Sequence, residues 1–259
     1  TRLQEAAEDA ASPSTVRTEV AEGHPADQIL LIAERERADL IVLASHSAPD
    51  ATEFQMGSTA QKVAQHARQS LLLVHADHTA MPMERRVLER VLVLLDGSIA
   101  AESSLPSALE LARTMGTEIV LGHALTRPTL PTCEPPTRRD SDLLEQLVER
   151  SRELARAYLR NIERGLRSQE VYCRAAIKEC DSVRQGILIL AEEEDVDMIL
   201  MTSHGRTSSD LVVHGGITQQ VLVHANRPVW VVQNLHVLNQ DQSATLRPEE
   251  VRIHVSVPS

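Results

Sequence analysis

Aromatic side chains are almost absent from this sequence of 259 residues, which has one Phe, two Tyr and one Trp. Proteins that bind single-stranded nucleic acids stack the bases on aromatic rings, and this chain has too few rings for such a platform. Positive charge is also in the minority, since 26 Lys and Arg face 37 Asp and Glu and give a formal net charge of −11. Because non-specific nucleic-acid binding depends on Lys and Arg that neutralise phosphates, we expect no nucleic-acid partner.

Long hydrophobic runs and paired cysteines are missing as well. No apolar run approaches the roughly 20 residues that a membrane-spanning helix requires, and no secretory-signal pattern follows Thr1. The cysteines Cys133, Cys173 and Cys180 are odd in number and fit no C-x-x-C spacing, which predicts neither a disulfide framework nor a zinc site. We therefore expect a cytoplasmic protein with no membrane partner and no bound metal, in which Cys173 is a small core residue.

Short apolar runs alternate with amphipathic helical patterns along the chain. Such runs are typical of strands that are buried on both faces of a parallel sheet. They occupy residues 41–43, 71–74, 91–95, 119–121, 198–201 and 229–232. In residues 141–166 the apolar positions recur instead at steps of three and four, which predicts a helix. This alternation predicts an α/β fold with a doubly wound parallel sheet.

One segment of the sequence occurs twice at a fixed spacing. Residues 39–47 (DLIVLASHS) reappear as residues 197–205 (DMILMTSHG), at an offset of 158 positions. The same offset pairs Gly57 with Gly215, and it pairs the dipeptide at 66–67 with the identical dipeptide at 224–225. Matches that stay in register from a strand through a helix to the next strand predict a tandem duplication.

The two predicted copies differ in length. Residues 86–235 contain five predicted strands and form a complete second copy, whereas residues 1–76 keep only the equivalent of the last three strands. Residues 77–85 are a predicted linker, and residues 236–259 are a tail whose alternating segment 251–257 predicts an edge strand. Because an open strand edge in the first copy would be unfavourable, we expect it to be covered by residues before Thr1, by another chain or by residues 251–257.

Two motifs at predicted strand ends carry a resemblance to a known family. The run 91–95 ends in Asp96, and the run 198–201 leads into Thr202-Ser-His204-Gly205, nine further residues and then Gly215-Gly216-Ile217. This pattern resembles the universal stress protein (UspA-like) family. In that family the first strand typically ends in Asp, and the fourth strand is followed by G-x-x-G, nine residues and G-(S/T). The resemblance extends over most of the chain.

The resemblance implies a Rossmann-like sheet with the strand order 3-2-1-4-5. In many members ATP, accompanied by Mg²⁺, is bound at the carboxyl ends of strands one and four, whereas other members lack the glycines and bind no nucleotide. Glycine lets the backbone approach phosphates closely, and the N–H groups that begin the following helix point at the anion. The implied nucleotide-binding residues are Asp96 and Ala124 at the base, Met201, Thr202, His204 and Gly205 in the loop, and Gly215, Gly216 and Ile217 at the phosphates.

The second copy departs from the family pattern at two positions. Thr202 stands where the first glycine belongs, and Gly216 replaces the usual Ser or Thr. The first copy has Ala44 and Ser47 in place of both early glycines, so no nucleotide is expected there. Asp96 has two interpretations: a ligand for the adenine or ribose edge, or the start of a turn that caps a helix.

Two functions follow from the resemblance. The first is a stress-response or regulatory module that binds ATP or a related adenine nucleotide in the second copy, with slow or no hydrolysis and no catalytic residues. The alternative is a dimerisation or interaction module that has lost nucleotide binding. A nucleotide hydrolase is a third hypothesis, which no paired carboxylates and no lysine near the loop support. Fifth strands of family members commonly pair across a dimer, so we expect residues 71–74 to lie beside 229–232 in an intrachain pseudo-dimer, with a homodimer as a further expectation.

Overall fold

Strands and helices alternate along the chain, as the hydrophobic pattern predicts. The computed structural model describes residues 16–46, 56–76, 88–128, 137–203 and 216–233. The helices are α1 (Pro25–Arg35), α2 (Ser58–His66), α3 (Ile99–Glu102), α4 (Leu105–Met115), α5 (Arg138–Arg167), α6 (Val183–Glu193) and α7 (Gly216–His224). The strands are β1 (Leu40–His46), β2 (Ser70–Ala76), β3 (Arg90–Leu94), β4 (Glu118–Thr126), β5 (Cys173–Cys180), β6 (Met198–Thr202) and β7 (Val229–Val232).

All seven strands form a single sheet in the order β1-β2-β7-β6-β3-β4-β5. Neighbouring strands are parallel except β2 and β7, which run antiparallel. The five strands from β3 to β7 therefore have the order 3-2-1-4-5, which confirms the order that the family resemblance implies. At the antiparallel junction Leu71 pairs with Val231 and Leu73 pairs with Val229, so residues 71–73 lie beside 229–231 as expected.

Helices cover the sheet on both faces. One hydrophobic layer joins α1, α2, α6 and α7 to strand residues that include Leu71, Leu92 and Ile199. The opposite layer joins α3, α4 and α5 to residues that include Val93 and Leu121. Because side chains of a strand point alternately to the two faces, strands that are apolar at successive positions serve both layers. Cys173, which is only 3% exposed, belongs to the second layer, as expected of a core residue; none of the described helices is long and apolar enough to cross a membrane.

The spacing of the sequence repeat is also the spacing of structural elements. Helices α1 and α6 begin and end 158 residues apart, and so do α2 and α7. The loops that follow α1 and α6 share an unusual backbone conformation, since Arg37 and Asp195 both have a positive φ, of 53° and 45°. Residues other than glycine rarely adopt this conformation, so its recurrence at equivalent positions supports the interpretation of a duplication.

The first of the two similar halves contains fewer strands than the sequence predicts. At the repeat offset of 158 the equivalent of β5 would fall at residues 15–22; residues 16–24 form no strand, and residues 1–15 lie outside the described residues. The equivalent strand in the second half, β5, pairs only with β4, and the described residues contain no equivalent of β4 in the first half. Without a partner for its backbone N–H and C=O groups, the segment is not stabilised as a strand; Arg17 and Glu19 instead form ion pairs with residues at the end of α1. The predicted linker 77–85 and edge strand 251–257 lie outside the described residues.

Candidate functional site

The candidate site lies at the carboxyl ends of three neighbouring strands. Strand β3 lies between β4 and β6, and it is parallel to both. The register pairs Leu94 of β3 with Gly122 of β4, and Val93 of β3 with Leu200 of β6. Asp96, Ala124 and Thr202 are each two or three residues beyond these pairs, so all three come to the same edge of the sheet. In open α/β sheets, ligands bind at the carboxyl ends of two adjacent strands whose following connections run to opposite faces of the sheet. The divergence of these connections leaves a crevice there.

Asp96 begins a turn that caps a helix. Its Oδ1 accepts hydrogen bonds from the backbone N–H and the hydroxyl of Ser98, at 2.9 and 2.6 Å. The Ser98 Oγ in turn accepts a bond from the backbone N–H of Ala101, which caps α3. Gly97 has a φ of 84°, a conformation that favours glycine. The capping turn is therefore present, and its bonds hold the half-buried carboxylate of Asp96 at the strand end.

Strand β4 contributes a small side chain and a histidine at this level. The Cβ of Ala124 is directed toward α6, since it lies 3.2 Å from the position that a β-carbon on Gly186 would take. The neighbouring His123 has its Nδ1 2.7 Å from the carbonyl oxygen of Leu95. A carbonyl only accepts hydrogen bonds, so Nδ1 carries a proton and donates it. The sequence reasoning did not select His123, because the resemblance assigns no role to that position.

The end of β6 is tied to the start of α7 by a buried threonine. The hydroxyl of Thr218 donates to the carbonyl oxygens of Thr202 and Ser203, at 3.1 and 3.2 Å. Thr218 is only 3% exposed, and Met201 and Thr202 are buried as well. Sequence reasoning missed Thr218. One signal was available, because the two halves differ here: the second half has a hydroxyl at Thr218, whereas the equivalent residue of the first half is Ala60.

The first turn of α7 is exposed where the resemblance predicts phosphates. Gly216 is the first residue of the helix, and a β-carbon added there would meet no atom of the described residues within 4 Å. Ile217 packs against the hydrophobic layer below. His204, Gly205 and Gly215 lie outside the described residues. The six predicted site residues that are described lie at this one edge of the sheet.

Tyr158 lies close enough to both Glu102 and Asp96 for their charges to act on it. The phenol of Tyr158 on α5 donates to Oε1 of Glu102 at 3.1 Å. Burial, followed by the charge of Glu102 and that of Asp96, raises the pKa of Tyr158 well above its usual range, so the phenol stays protonated and acts as a donor. Within the described ranges no group of three or more His, Cys, Asp or Glu side chains is arranged to hold a metal ion.

Comparison with known proteins supports one family. The model of the universal stress protein family matches residues 1–75 and 88–233. A universal stress protein from Mycolicibacterium smegmatis is 25% identical over 221 residues, which are 85% of this chain and 69% of that protein. The universal stress protein MJ0577 from Methanocaldococcus jannaschii is 43% identical over 47 residues, but that match spans only 18% of this chain and 29% of that protein.

Solved structures give the same result for the fold. A universal stress protein from Archaeoglobus fulgidus superimposes with a TM-score of 0.63 at 20% identity, and the match covers 89% of this chain and 76% of that chain. A structure from Pseudomonas aeruginosa, described as a putative universal stress protein, has a TM-score of 0.61 at 18% identity over 90% of this chain and 76% of that chain. The family model, the strand order and these matches agree: the chain belongs to the universal stress protein family.

Proposed function

We propose that this chain binds ATP, or a related adenine nucleotide, at the carboxyl ends of β3, β4 and β6, and acts as a cytoplasmic stress-response or regulatory module. The observation that carries the proposal is the convergence of Asp96, Ala124 and Thr202 with the start of α7 at one strand edge. Residues 86–235 would form the nucleotide-binding copy. Residues 1–76 would form a partial copy that joins it as an intrachain pseudo-dimer through β2 and β7.

The proposed roles follow from the chemistry of each group. The carboxylate of Asp96 is an acceptor for a ribose hydroxyl or for the adenine amino group. Backbone N–H groups at the start of α7 carry partial positive charge, which favours phosphate. The open space around Gly216 leaves room for a phosphate, although this residue has no hydroxyl to donate to it. Magnesium would arrive with the nucleotide, and its ligands would come from the phosphates and water.

A second candidate function is an interaction module without nucleotide. Thr202 favours it, because a buried threonine occupies the position of the first glycine and its carbonyl oxygen already accepts a bond from Thr218. The dimer-like surface formed where β2 joins β7 would then carry the function. The two candidates differ in one measurable property, which is affinity for an adenine nucleotide.

Calorimetric titration of the chain with Mg-ATP tests the proposal. We expect one nucleotide per chain, because the predicted residues at the base and the loop occur together only in the second half. The variant Asp96→Asn keeps an Oδ1 that can accept both bonds from Ser98 but removes the negative charge, so it should weaken binding while the helix stays capped. Ser98→Ala is the matched comparison: it removes the cap and one bond to Asp96 but keeps the negative charge and the backbone N–H bond, so it should weaken binding less than Asp96→Asn. No binding heat at saturating Mg-ATP, with no nucleotide in an acid extract of the purified chain, would favour the interaction module.

A gain-of-affinity variant complements this loss. Gly216→Ser restores the hydroxyl that the family pattern has, and its β-carbon would meet none of the described residues within 4 Å. A hydrogen bond to a charged group contributes about 1.5–3 kcal/mol, so we expect affinity for Mg-ATP to rise about tenfold. Ser58 is the equivalent residue in the first half, and Ser58→Gly should leave the affinity unchanged. A loss of affinity in Ser58→Gly as large as the gain in Gly216→Ser would contradict the assignment of the site to the second half.

A further inference from the structure

Helix α5 extends well beyond the sheet on which it packs. It has 30 residues, and an α-helix of that length spans about 45 Å. Arg152 forms an ion pair with Glu179 at the carboxyl end of β5, so the 14 residues of α5 before Arg152 run about 21 Å past that end. None of the residues 138–154 is buried, whereas Ala155, Leu159 and Leu166 are.

The projecting part of α5 has an exposed leucine stripe. Leu143, Leu147 and Leu154 are 51%, 46% and 55% exposed. They are four and seven residues apart, which are the steps that place side chains on one face of a helix. At 100° per residue, this leucine stripe lies about 120° from the helix face of Ala155 and Leu159 that packs on the sheet. Exposed leucines in such a stripe are typical of a surface that is covered by another helix.

Charge is distributed unevenly along the same helix. Residues 140–149 contain four carboxylates and no basic residue, whereas residues 150–167 contain six arginines and two glutamates. The part of the chain that the structure describes contains no ion pair of Arg156, Arg160 or Arg164. A second helix of the same sequence would oppose unlike charges if it ran antiparallel, and like charges if it ran parallel.

We propose that α5 of a second copy packs antiparallel on the leucine stripe and forms a two-fold symmetric dimer. In this arrangement Leu147 of each chain faces Leu154 of the other, and the two-fold axis passes between residues 150 and 151. Leu143 of one chain then reaches a surface depression of the other beside Ala157, which Arg160 and Arg164 also line. The acidic half of each helix lies against the arginine-rich half of the other. Such an interface is self-complementary and closes at two copies.

Sedimentation equilibrium of the 259-residue chain tests the association. We expect the average mass to rise with protein concentration from one chain of 28.6 kDa toward two. Leu147→Glu and Leu154→Glu should each weaken the association at least about tenfold, because each places two desolvated charges in the dimer. Met115 on α4 is 49% exposed, so Met115→Glu is a matched control that should have no effect. A mass of one chain at all concentrations, or equal effects of Met115→Glu and Leu147→Glu, would overturn the proposal.

Disulfide cross-linking tests the direction of the two helices. In a Cys133→Ser background, Arg150→Cys places two thiols near the two-fold axis, whereas Leu143→Cys places them far apart in an antiparallel pair. We expect oxidised glutathione to cross-link the R150C chains efficiently and the L143C chains poorly. Comparable cross-linking at both positions would indicate parallel helices and refute the proposed arrangement. The remaining native thiols, Cys173 and Cys180, are buried and do not compete.

Discussion

Replacing Thr218 by Val removes one hydroxyl and keeps nearly the same side-chain shape. That hydroxyl has a single proton, which the carbonyl oxygens of Thr202 and Ser203 share at 3.1 and 3.2 Å. A typical hydrogen bond contributes about 0.5–1.5 kcal/mol net, and loss of one partner of a buried acceptor costs about 1–3 kcal/mol. We therefore expect Thr218→Val to lower the free energy of unfolding by about 1–2 kcal/mol. Thr218→Ser keeps the hydroxyl and should lose less.

The same substitution should also weaken nucleotide binding. The hydroxyl holds the first turn of α7 against the end of β6, and this turn supplies the N–H groups proposed to bind phosphate. Loss of this restraint is expected to reduce the affinity for Mg-ATP about tenfold, which corresponds to about 1.4 kcal/mol. Urea denaturation followed by circular dichroism measures the stability, and calorimetric titration measures the affinity of the same samples.

Thr117 provides a control that separates stability from binding. It is also a buried threonine, and its hydroxyl donates to the carbonyl oxygen of Leu88 at 2.7 Å, at the amino end of β4 and far from the candidate site. Thr117→Val should therefore destabilise the fold to a similar extent without a change in affinity. If it weakens binding as much as Thr218→Val, the proposed link between the Thr218 hydroxyl and the phosphate site is wrong.

Two further predictions concern the packing of α6 and the charges near the end of β5. In Gly186→Ala the new β-carbon would lie 2.5 Å from the sulfur of Cys180, so we expect thermal unfolding to show a stability loss of about 1–2 kcal/mol. In Gly165→Ala on α5 the new β-carbon would meet none of the described residues within 4 Å, so this control should gain about 0.5–1 kcal/mol of stability. The hydrogen bond from Arg152 lowers the pKa of Glu179 below its usual value near 4.5. The contribution of this carboxylate to stability is therefore complete above about pH 4.5 and is lost as the pH falls through the lowered pKa. The stability difference between the natural chain and Glu179→Gln should accordingly shrink below about pH 4.5 in acid denaturation, and a constant difference would contradict this contribution.

The alternation of strands and helices and the repeat were predictable from sequence patterns, and the strand order followed from the family resemblance, whereas details of the site were not predictable. Apolar runs and the repeat depend on local patterns of residues, and those patterns follow the geometry of strands and helices directly. The capping turn of Asp96 was also predictable, since Asp-Gly-Ser is a local signal. The bond of Thr218 to the end of β6 joins residues 15 and 16 positions apart, and it depends on how α7 packs on the sheet. No pattern within a single segment predicts such a contact.

The third strand expected in the first half depends on distant residues in the same way. Residues 16–22, which are equivalent to part of β5, form no strand, and a strand is stabilised by hydrogen bonds to its neighbour. The described residues contain that neighbour, β4, only in the second half. Equivalent segments of the two halves can therefore differ, because a strand forms where its neighbouring strand is present.

This dependence on neighbours also bears on where a nucleotide can bind. At the start of the helix the first half, with Gly57-Ser58, matches the family pattern better than the second half, with Gly215-Gly216. Judged by this motif alone, the first half would be the better site. Within the described residues, however, β1 is bordered only by β2, so the first half has no crevice between two diverging strands. Since the crevice holds the base and ribose, while the helix start contacts only the phosphates, we expect one nucleotide per chain, bound beside β3.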